Sequence, residues 1–159
     1  MPELRFITFR VGVETFVLDI MAVRQIIPYK SATTVPSAPA FIEGIIVLRN
    51  EVIPVIDLRD RFEIDPSQRA QRPLVIITHA VAGPIGLKVD EVRRIMTIPT
   101  DALLPPPPLV RGIRGDLLIA VIHHDGEVYL LIDQESILTT DEKTQLQSAD
   151  LSPSGVSER

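Results

Sequence analysis

Residues 44–62 read GIIVLRNEVIPVIDLRDRF, two short apolar runs separated by a polar turn. The second run, residues 52–56, is rich in β-branched side chains, and its proline would break a helix, so the run is predicted to be a strand. A proline inside a strand is typical of an edge strand or a bulge. Between the runs, Asn50 tolerates the left-handed backbone conformation that a tight turn needs. We therefore predict a β-hairpin with its turn at residues 49–51.

The order of these signals occurs twice along the chain, at an offset of about 70 residues. Several weak matches that keep one order are better evidence of duplication than any single match. A unit of this length is too long for a solenoid repeat, so the pattern predicts two related β-rich subdomains. The alternative is that unrelated strands simply resemble one another. The matching segments are 4–8 with 74–78, 23–27 with 92–96, 42–45 with 110–113, and 52–57 with 128–133.

Ten strand candidates, five in each half, predict an all-β fold. Short strands in sets of five favour small closed barrels, because closure removes the exposed edges of a narrow sheet. We expect two pseudo-symmetric five-stranded barrels, at about residues 1–65 and 72–140, joined by a charged segment at 60–72. A polar tail at 141–159 is expected to begin with a short helix. The strand candidates are residues 4–11, 15–20, 25–29, 44–48, 52–58, 74–79, 85–89, 94–98, 117–123 and 128–132.

The composition restricts the class of protein. The chain has 159 residues, of which 45% are hydrophobic, as in compact globular proteins. The sequence contains no cysteine, which excludes disulfides, thiolate chemistry and the usual structural zinc sites. A net charge of -5 without a basic block argues against nucleic acid as a partner. No apolar run approaches the roughly 20 residues that cross a bilayer, and no signal-peptide pattern opens the chain, so we expect a cytoplasmic protein without membrane insertion.

Catalytic motifs find little support. His123 and His124 are neighbours on a predicted strand, so their side chains point to opposite faces and cannot easily bind one metal ion. The Asp125-Gly126 pair that follows is typical of a hairpin turn. A hydrolase that uses the two histidines is the enzyme alternative. The sequence therefore predicts no catalytic site, no metal and no cofactor.

Several polar residues and a proline run admit structural explanations. Asp57 and Asp133 follow apolar runs at equivalent places, where each is expected to cap a strand end or a turn. Arg49 and Arg59 could be solvated flanks of the hairpin. The proline run 105–108 could form a polyproline II ligand for another protein, although a rigid connector is the favoured interpretation.

Residues 44–59 are similar to the pattern G-x-x-N-L-R-G-x-V-x-P-V-x-D-L-R of the CheW family, the coupling proteins that link bacterial chemoreceptors to the histidine kinase CheA. The chain resembles this family over roughly residues 4–140. The resemblance implies two pseudo-symmetric SH3-like β-barrels with short helical connections, in agreement with the repeat. Supporting matches are Phe41-Ile42-Glu43-Gly44, Gly86-Leu87-Lys88-Val89-Asp90-Glu91-Val92, Gly112-Ile113 and Leu130-Leu131-Ile132-Asp133.

The resemblance also implies an adaptor without catalytic activity. Family members hold the regulatory domain of CheA, which is similar in fold, on their barrel surfaces, and they hold the cytoplasmic tip of a receptor helical bundle in a groove. Arg49 matches the motif arginine, where it supports coupling, and Asn50 lies beside it in the turn. Exposed Ile and Val side chains around a polar contact would form an apolar patch suited to reversible assembly. The residues that match the family segment tied to partner binding are Ile20, Val23, Gln25 and Ile26.

Three positions depart from the family pattern. Val47 replaces the motif asparagine and loses its amide hydrogen bonds, and Asn50 replaces glycine but can still adopt a left-handed turn. Gln25 stands where many members have glutamate, which removes a charge that could pair with a basic residue of the kinase. The departures leave a second interpretation open, a CheW-like paralogue that binds only one of the two partners and modulates a different output such as pilus motility.

Overall fold

The computed structural model describes residues 3–36, 38–62, 64, 71–106 and 118–148. The repeat segment at 110–113, the end of the proline run, much of the predicted junction and most of the predicted tail lie outside these residues. The strands are β1 (Glu3–Val11), β2 (Glu14–Asp19), β3 (Val23–Pro28), β4 (Gly44–Leu48), β5 (Glu51–Asp57), β6 (Leu74–Thr78), β7 (Ile85–Val89), β8 (Glu91–Pro99), β9 (Leu103–Leu104), β10 (Leu118–His124) and β11 (Glu127–Ile132). The helices are α1 (Leu58–Arg61) and α2 (Thr140–Ser148), with 3-10 turns at Ile20–Ala22, Thr100–Ala102 and Gln134–Ser136.

The all-β prediction is confirmed. Each of the ten predicted strands is present, with ends that differ from the prediction by at most three residues. Strand β9 was not predicted, because a pair of leucines carries no periodic signal. Among the described residues, no helix is long and apolar enough to span a bilayer.

The strands form two curled sheets. The six-stranded sheet has the order β8-β1-β2-β11-β10-β9, and the five-stranded sheet has the order β3-β6-β7-β5-β4. Each sheet takes strands from both halves of the chain. The hairpin β1–β2 joins β8 to β11, and the hairpin β6–β7 joins β3 to β5. The boundary expected near residues 65–72 therefore does not separate one sheet from the other.

The two sheets nevertheless share one pairing pattern, which explains the repeat in the sequence. Strand β1 pairs antiparallel with β2 and β8, as β6 does with β7 and β3. Strand β2 pairs parallel with β11 at Phe16 and Leu130, as β7 does with β5 at Gly86 and Val55. The three matching pairs within the described residues, 4–8 with 74–78, 23–27 with 92–96 and 52–57 with 128–133, thus occupy equivalent positions in two pseudo-symmetric sheets.

The predicted β4–β5 hairpin is confirmed. Arg49 and Asn50 have φ angles of 51° and 65°, and Leu48 pairs with Glu51 across the turn. Two consecutive residues with positive φ are typical of the type I′ turn, whose twist matches that of paired strands. The family glycine is thus replaced by a residue that still permits this turn.

The prediction of an edge or bulge position for Pro54 is wrong, because β5 lies between β4 and β7. Pro54 pairs with Ile45, whose amide and carbonyl bond Thr33 instead of β5. The proline nitrogen therefore faces β7, where the pairing starts only at Val55. A missing N–H is tolerated there without an edge.

The main core extends across both sheets and the helices. The rings of Phe9 and Phe16 stack at 5.8 Å, and those of Phe16 and Phe62 at 4.8 Å. Phe62 follows α1, and α2 adds Leu146 to the same cluster. Strands from both halves therefore share one continuous interior.

A candidate docking surface and a neighbouring cleft

The β4–β5 turn presents its side chains to solvent. Arg49 and Asn50 are exposed at the tip of the hairpin. Within the described part of the chain, Arg49 makes no ion pair, so the interpretation of Arg49 as a solvated residue agrees with its environment. Val47, which replaces the motif asparagine, is 57% exposed just before the turn. The departure at Val47 therefore adds apolar surface beside a free cation.

Strand β3 alternates between an exposed and a half-buried face. Ile26 is exposed, whereas Gln25 is half-buried on the opposite face. Ile20 and Val23 are also half-buried, because they pack against the main core. The expectation of an exposed Ile and Val patch is therefore corrected: of these residues, Ile26 is the exposed one.

An ion pair brings β3 and the hairpin tip together. Arg24 Nη2 lies 2.5 Å from Glu51 Oε1. Arg24 lies on the edge strand β3 and Glu51 begins β5, three strands away in the order of the sheet, so the ion pair spans the concave side of the curled sheet. The hydrogen bond from Arg24 lowers the pKa of Glu51. The prediction missed both residues, although each is a charged residue next to a predicted site residue.

We name this region the hairpin surface. It comprises the exposed side chains of β3 and of the β4–β5 tip, together with the ion pair that joins them. Its residues are Arg24, Ile26, Val47, Arg49, Asn50 and Glu51.

A polar network fixes the far end of β3 to the sheet. Lys88 Nζ lies 3.3 Å from both carboxylate oxygens of Glu43 and 4.2 Å from the centre of the Tyr29 ring. The Tyr29 hydroxyl donates a hydrogen bond to Glu43. Burial, helped by this bond and the charge of Glu43, raises the pKa of Tyr29 to about 12. The hairpin surface therefore rests on a well-anchored strand.

Arg59 is a structural residue, which corrects its interpretation as a solvated flank. Its side chain is 8% exposed and makes two bonds to Asp90, from Nε at 2.8 Å and from Nη2 at 2.6 Å. Asp90 also accepts a bond from the backbone N–H of Gly12 at 2.7 Å. The predicted cap is present as well, because Asp57 accepts the backbone N–H of Arg59 at 2.9 Å.

A cleft of about 430 Å³ opens where β2 and β11 end. Its floor is apolar and buried, and its mouth exposes Met21 (80%) and Ile119 (49%). Sequence patterns do not predict this cleft, because its walls come from distant parts of the chain. The lining residues are Leu4, Phe6, Asp19, Met21, Ala22, His79, Leu103, Ile119, Leu131, Ile132, Asp133 and Gln134.

The histidine pair lies on the β10–β11 hairpin. His123 is exposed and His124 half-buried, as expected for neighbours on opposite faces of a strand. Asp125 and Gly126 have φ angles of 53° and 77°. The predicted turn is confirmed, and it is the counterpart of the Arg49-Asn50 turn in the other sheet.

The sequence and the fold agree with those of known proteins. A model of the CheW-like domain matches residues 5–142. Chemotaxis protein CheW of Rhizobium meliloti is 31% identical over 137 residues, which cover 86% of this chain and 88% of that protein. Protein FrzA of Myxococcus xanthus is 29% identical over 141 residues, which cover 87% of this chain and 88% of that protein.

A solved structure is similar over nearly the whole chain. It is the crystal structure of the scaffolding protein TtCheW from Thermoanaerobacter tengcongensis, with a TM-score of 0.82 and 31% identity. The similarity covers 94% of this chain and 100% of that one. From the domain match, the relatives and the shared fold we conclude that the chain belongs to the CheW family of chemotaxis scaffold proteins.

Proposed function

We propose that the protein is an adaptor without catalytic activity that couples the cytoplasmic tip of a chemoreceptor to a CheA-type histidine kinase. The observation that carries the proposal is the presence of two exposed surfaces on one folded body. The hairpin surface lies on the five-stranded sheet, and the cleft is lined mainly by the six-stranded sheet. The two share no residue, as simultaneous binding of two partners requires.

The hairpin surface is proposed to bind the regulatory domain of the kinase. It offers a free arginine at its tip and apolar side chains at Ile26 and Val47. An arginine beside a modest apolar patch is typical of the centre of a reversible interface. Arg49 is therefore the side chain with most to contribute to the affinity for the kinase.

The cleft is proposed to bind the receptor tip, which is a bundle of helices. An apolar stripe of a helix buries well in a groove with apolar walls. Met21 suits this task, because its flexible and polarizable side chain adapts to the contours of a partner. The affinity for the receptor should therefore depend on Met21.

The connection between the surfaces supports the transmission of a signal. Met21 lies in the 3-10 turn Ile20–Ala22, and this turn continues directly into β3 at Val23. A receptor that moves Met21 would move the edge strand that carries Ile26. Simultaneous binding also raises the effective concentration of kinase and receptor near each other, without any covalent step. Such partners would place the protein in the cytoplasm, at membrane-associated receptor arrays.

Calorimetry tests the proposal with two probes, the C-terminal regulatory domain of the CheA-like kinase and a receptor-tip fragment, both from the same genome. We expect Arg49→Ala to weaken binding of the kinase domain alone, and Met21→Ser to weaken binding of the receptor fragment alone. Matched controls are Arg5→Ala and Val13→Ser, at exposed positions outside both surfaces. Binding of neither probe by the folded protein would overturn the proposal.

A paralogue with one partner is the second candidate. Two features favour it: the exposed Val47 in place of the motif asparagine and the half-buried, uncharged Gln25. A protein that binds the kinase domain or the receptor fragment, but not both, would show this function. Such a protein would titrate one component of an array and so modulate another output.

A further inference from the structure

Asp19 and Asp133 lie side by side on the wall of the cleft. Strands β2 and β11 run parallel, with Val17 opposite Leu131. Two residues further on, Asp19 ends β2 and Asp133 directly follows β11. Neighbouring strands are about 4.8 Å apart, so the two aspartates start from adjacent backbone positions, and both line the cleft. Both side chains are half-buried.

The two carboxylates have the same local role, as caps of the turns that follow. Asp19 accepts the backbone N–H of Met21 at 2.9 Å, and Asp133 accepts that of Glu135 at 3.2 Å. Each caps the 3-10 turn that follows its strand. Among the described residues, neither carboxylate has a lysine or arginine within ion-pair distance.

The equivalent place in the five-stranded sheet differs in one respect. Asp57 is the counterpart of Asp133 in the repeat, and its neighbour on the adjacent parallel strand is Lys88. Lys88 Nζ lies 3.8 Å from Asp57 Oδ2. In the five-stranded sheet, the position beside Asp57 is thus occupied by Lys88. In the six-stranded sheet, the equivalent position beside Asp133 is occupied by Asp19.

We infer that Asp19 and Asp133 determine the specificity of the cleft, by accepting a lysine or arginine of an amphipathic receptor helix. The inference rests on the proposed function, since it names the chemistry of the partner at that site. The apolar stripe of the helix lies against Met21 and Ile119, and its basic residue lies between the two carboxylates. Paired acids beside an apolar wall attract a cation and disfavour a helix that lacks one.

Substitution of each aspartate by asparagine tests the negative charge separately from the capping hydrogen bond. Asn caps about as well as Asp, so Asp19→Asn and Asp133→Asn retain the turns while they remove the charge. We expect the double variant to bind the receptor-tip fragment about tenfold more weakly, as for the loss of a hydrogen bond to a charged group. Its affinity should also depend less on salt than that of the native protein, because the carboxylates no longer attract the partner. Asp19→Ser and Asp133→Ser, which also cap, should give the same result.

The matched control is Asp125→Asn, in the turn at the other end of β11, which should change nothing. The kinase domain serves as the second probe and should bind all variants equally well. Unchanged receptor affinity and salt dependence in the double variant would overturn the inference while the proposed function stands. An equal loss of affinity for the kinase domain and the receptor fragment would also overturn the inference. Self-association of the protein that requires the two aspartates would overturn it as well. If the native protein binds no receptor fragment, the proposed function itself fails.

Discussion

Arg59 and Asp90 form a two-pronged ion pair, at 2.8 and 2.6 Å, that ties helix α1 to the turn between β7 and β8. The same carboxylate accepts the N–H of Gly12 in the β1–β2 turn. This ion pair therefore joins helix α1 to the end of β7 and to the β1–β2 turn.

Removal of the Arg59 guanidinium should be strongly destabilising, because it leaves the largely buried Asp90 carboxylate without this cation. We expect Arg59→Ala to lower the free energy of unfolding by about 3–5 kcal/mol. Urea denaturation measures the change. Arg24→Ala, which breaks the exposed Arg24–Glu51 pair, is the matched control and should leave stability almost unchanged. Equal effects of the two arginine substitutions would contradict the structural role of Arg59.

The positive φ of Asn50 restricts which residues this turn accepts at position 50. Asn50→Gly should be tolerated, because glycine adopts the positive φ of 65° without strain. Asn50→Val should cost about 1–2 kcal/mol, since a β-branched residue is disfavoured in a left-handed conformation. Thermal unfolding of the two variants checks the difference. Similar melting temperatures would argue against this turn.

Alkaline pH should weaken the fold through Tyr29. Its pKa is raised to about 12 in the folded state, mainly by burial, from the ordinary value of 10.0. The folded protein thus holds this proton more tightly than the unfolded chain. The corresponding stability is fully present below pH 10 and is lost as the pH rises toward about 12. Unfolding measured across this range should show a smaller decline in Tyr29→Phe, and an identical decline would contradict the assignment.

Gly44, the first residue of β4, should not accept alanine. An added Cβ would lie 2.8 Å from the Thr33 carbonyl oxygen and 2.8 Å from the Ala32 Cβ. The Thr33 backbone cannot retreat, because it is bonded to Ile45 in both directions. We expect a loss of about 1–3 kcal/mol, typical of overpacking. Denaturation of Gly44→Ala would reveal it, and a native-like midpoint would show that the segment at Thr33 moves freely.

Local sequence signals were sufficient for the strands and not for their partners. Turn residues such as Asn50 and Gly126 and short β-branched runs mark where each strand starts and stops. The choice of partner strand depends on contacts between segments far apart in sequence, for which a local pattern carries no information. The repeat revealed equivalent strands. It did not reveal that the β1–β2 hairpin lies between strands of the second half, or that the β6–β7 hairpin lies between strands of the first half.

The candidate site was predicted only in part, because contacts between distant segments decide which side chains are exposed. Arg49 and Asn50 are exposed as expected, because a hairpin tip is exposed in almost any fold. Ile20 and Val23 face the core, which depends on what the curled sheet encloses. The acidic pair in the cleft was out of reach, since Asp19 and Asp133 become neighbours only through the parallel pairing of β2 with β11.

The placement of the β1–β2 and β6–β7 hairpins also limits when each sheet can be completed during synthesis. The β1–β2 hairpin leaves the ribosome well before its sheet partners β8 and β11. The first half cannot finish its own sheet either, because β3 and β5 are separated by the later β6–β7 hairpin. Neither half can then complete a sheet by itself, and both sheets are complete only after β11 has emerged.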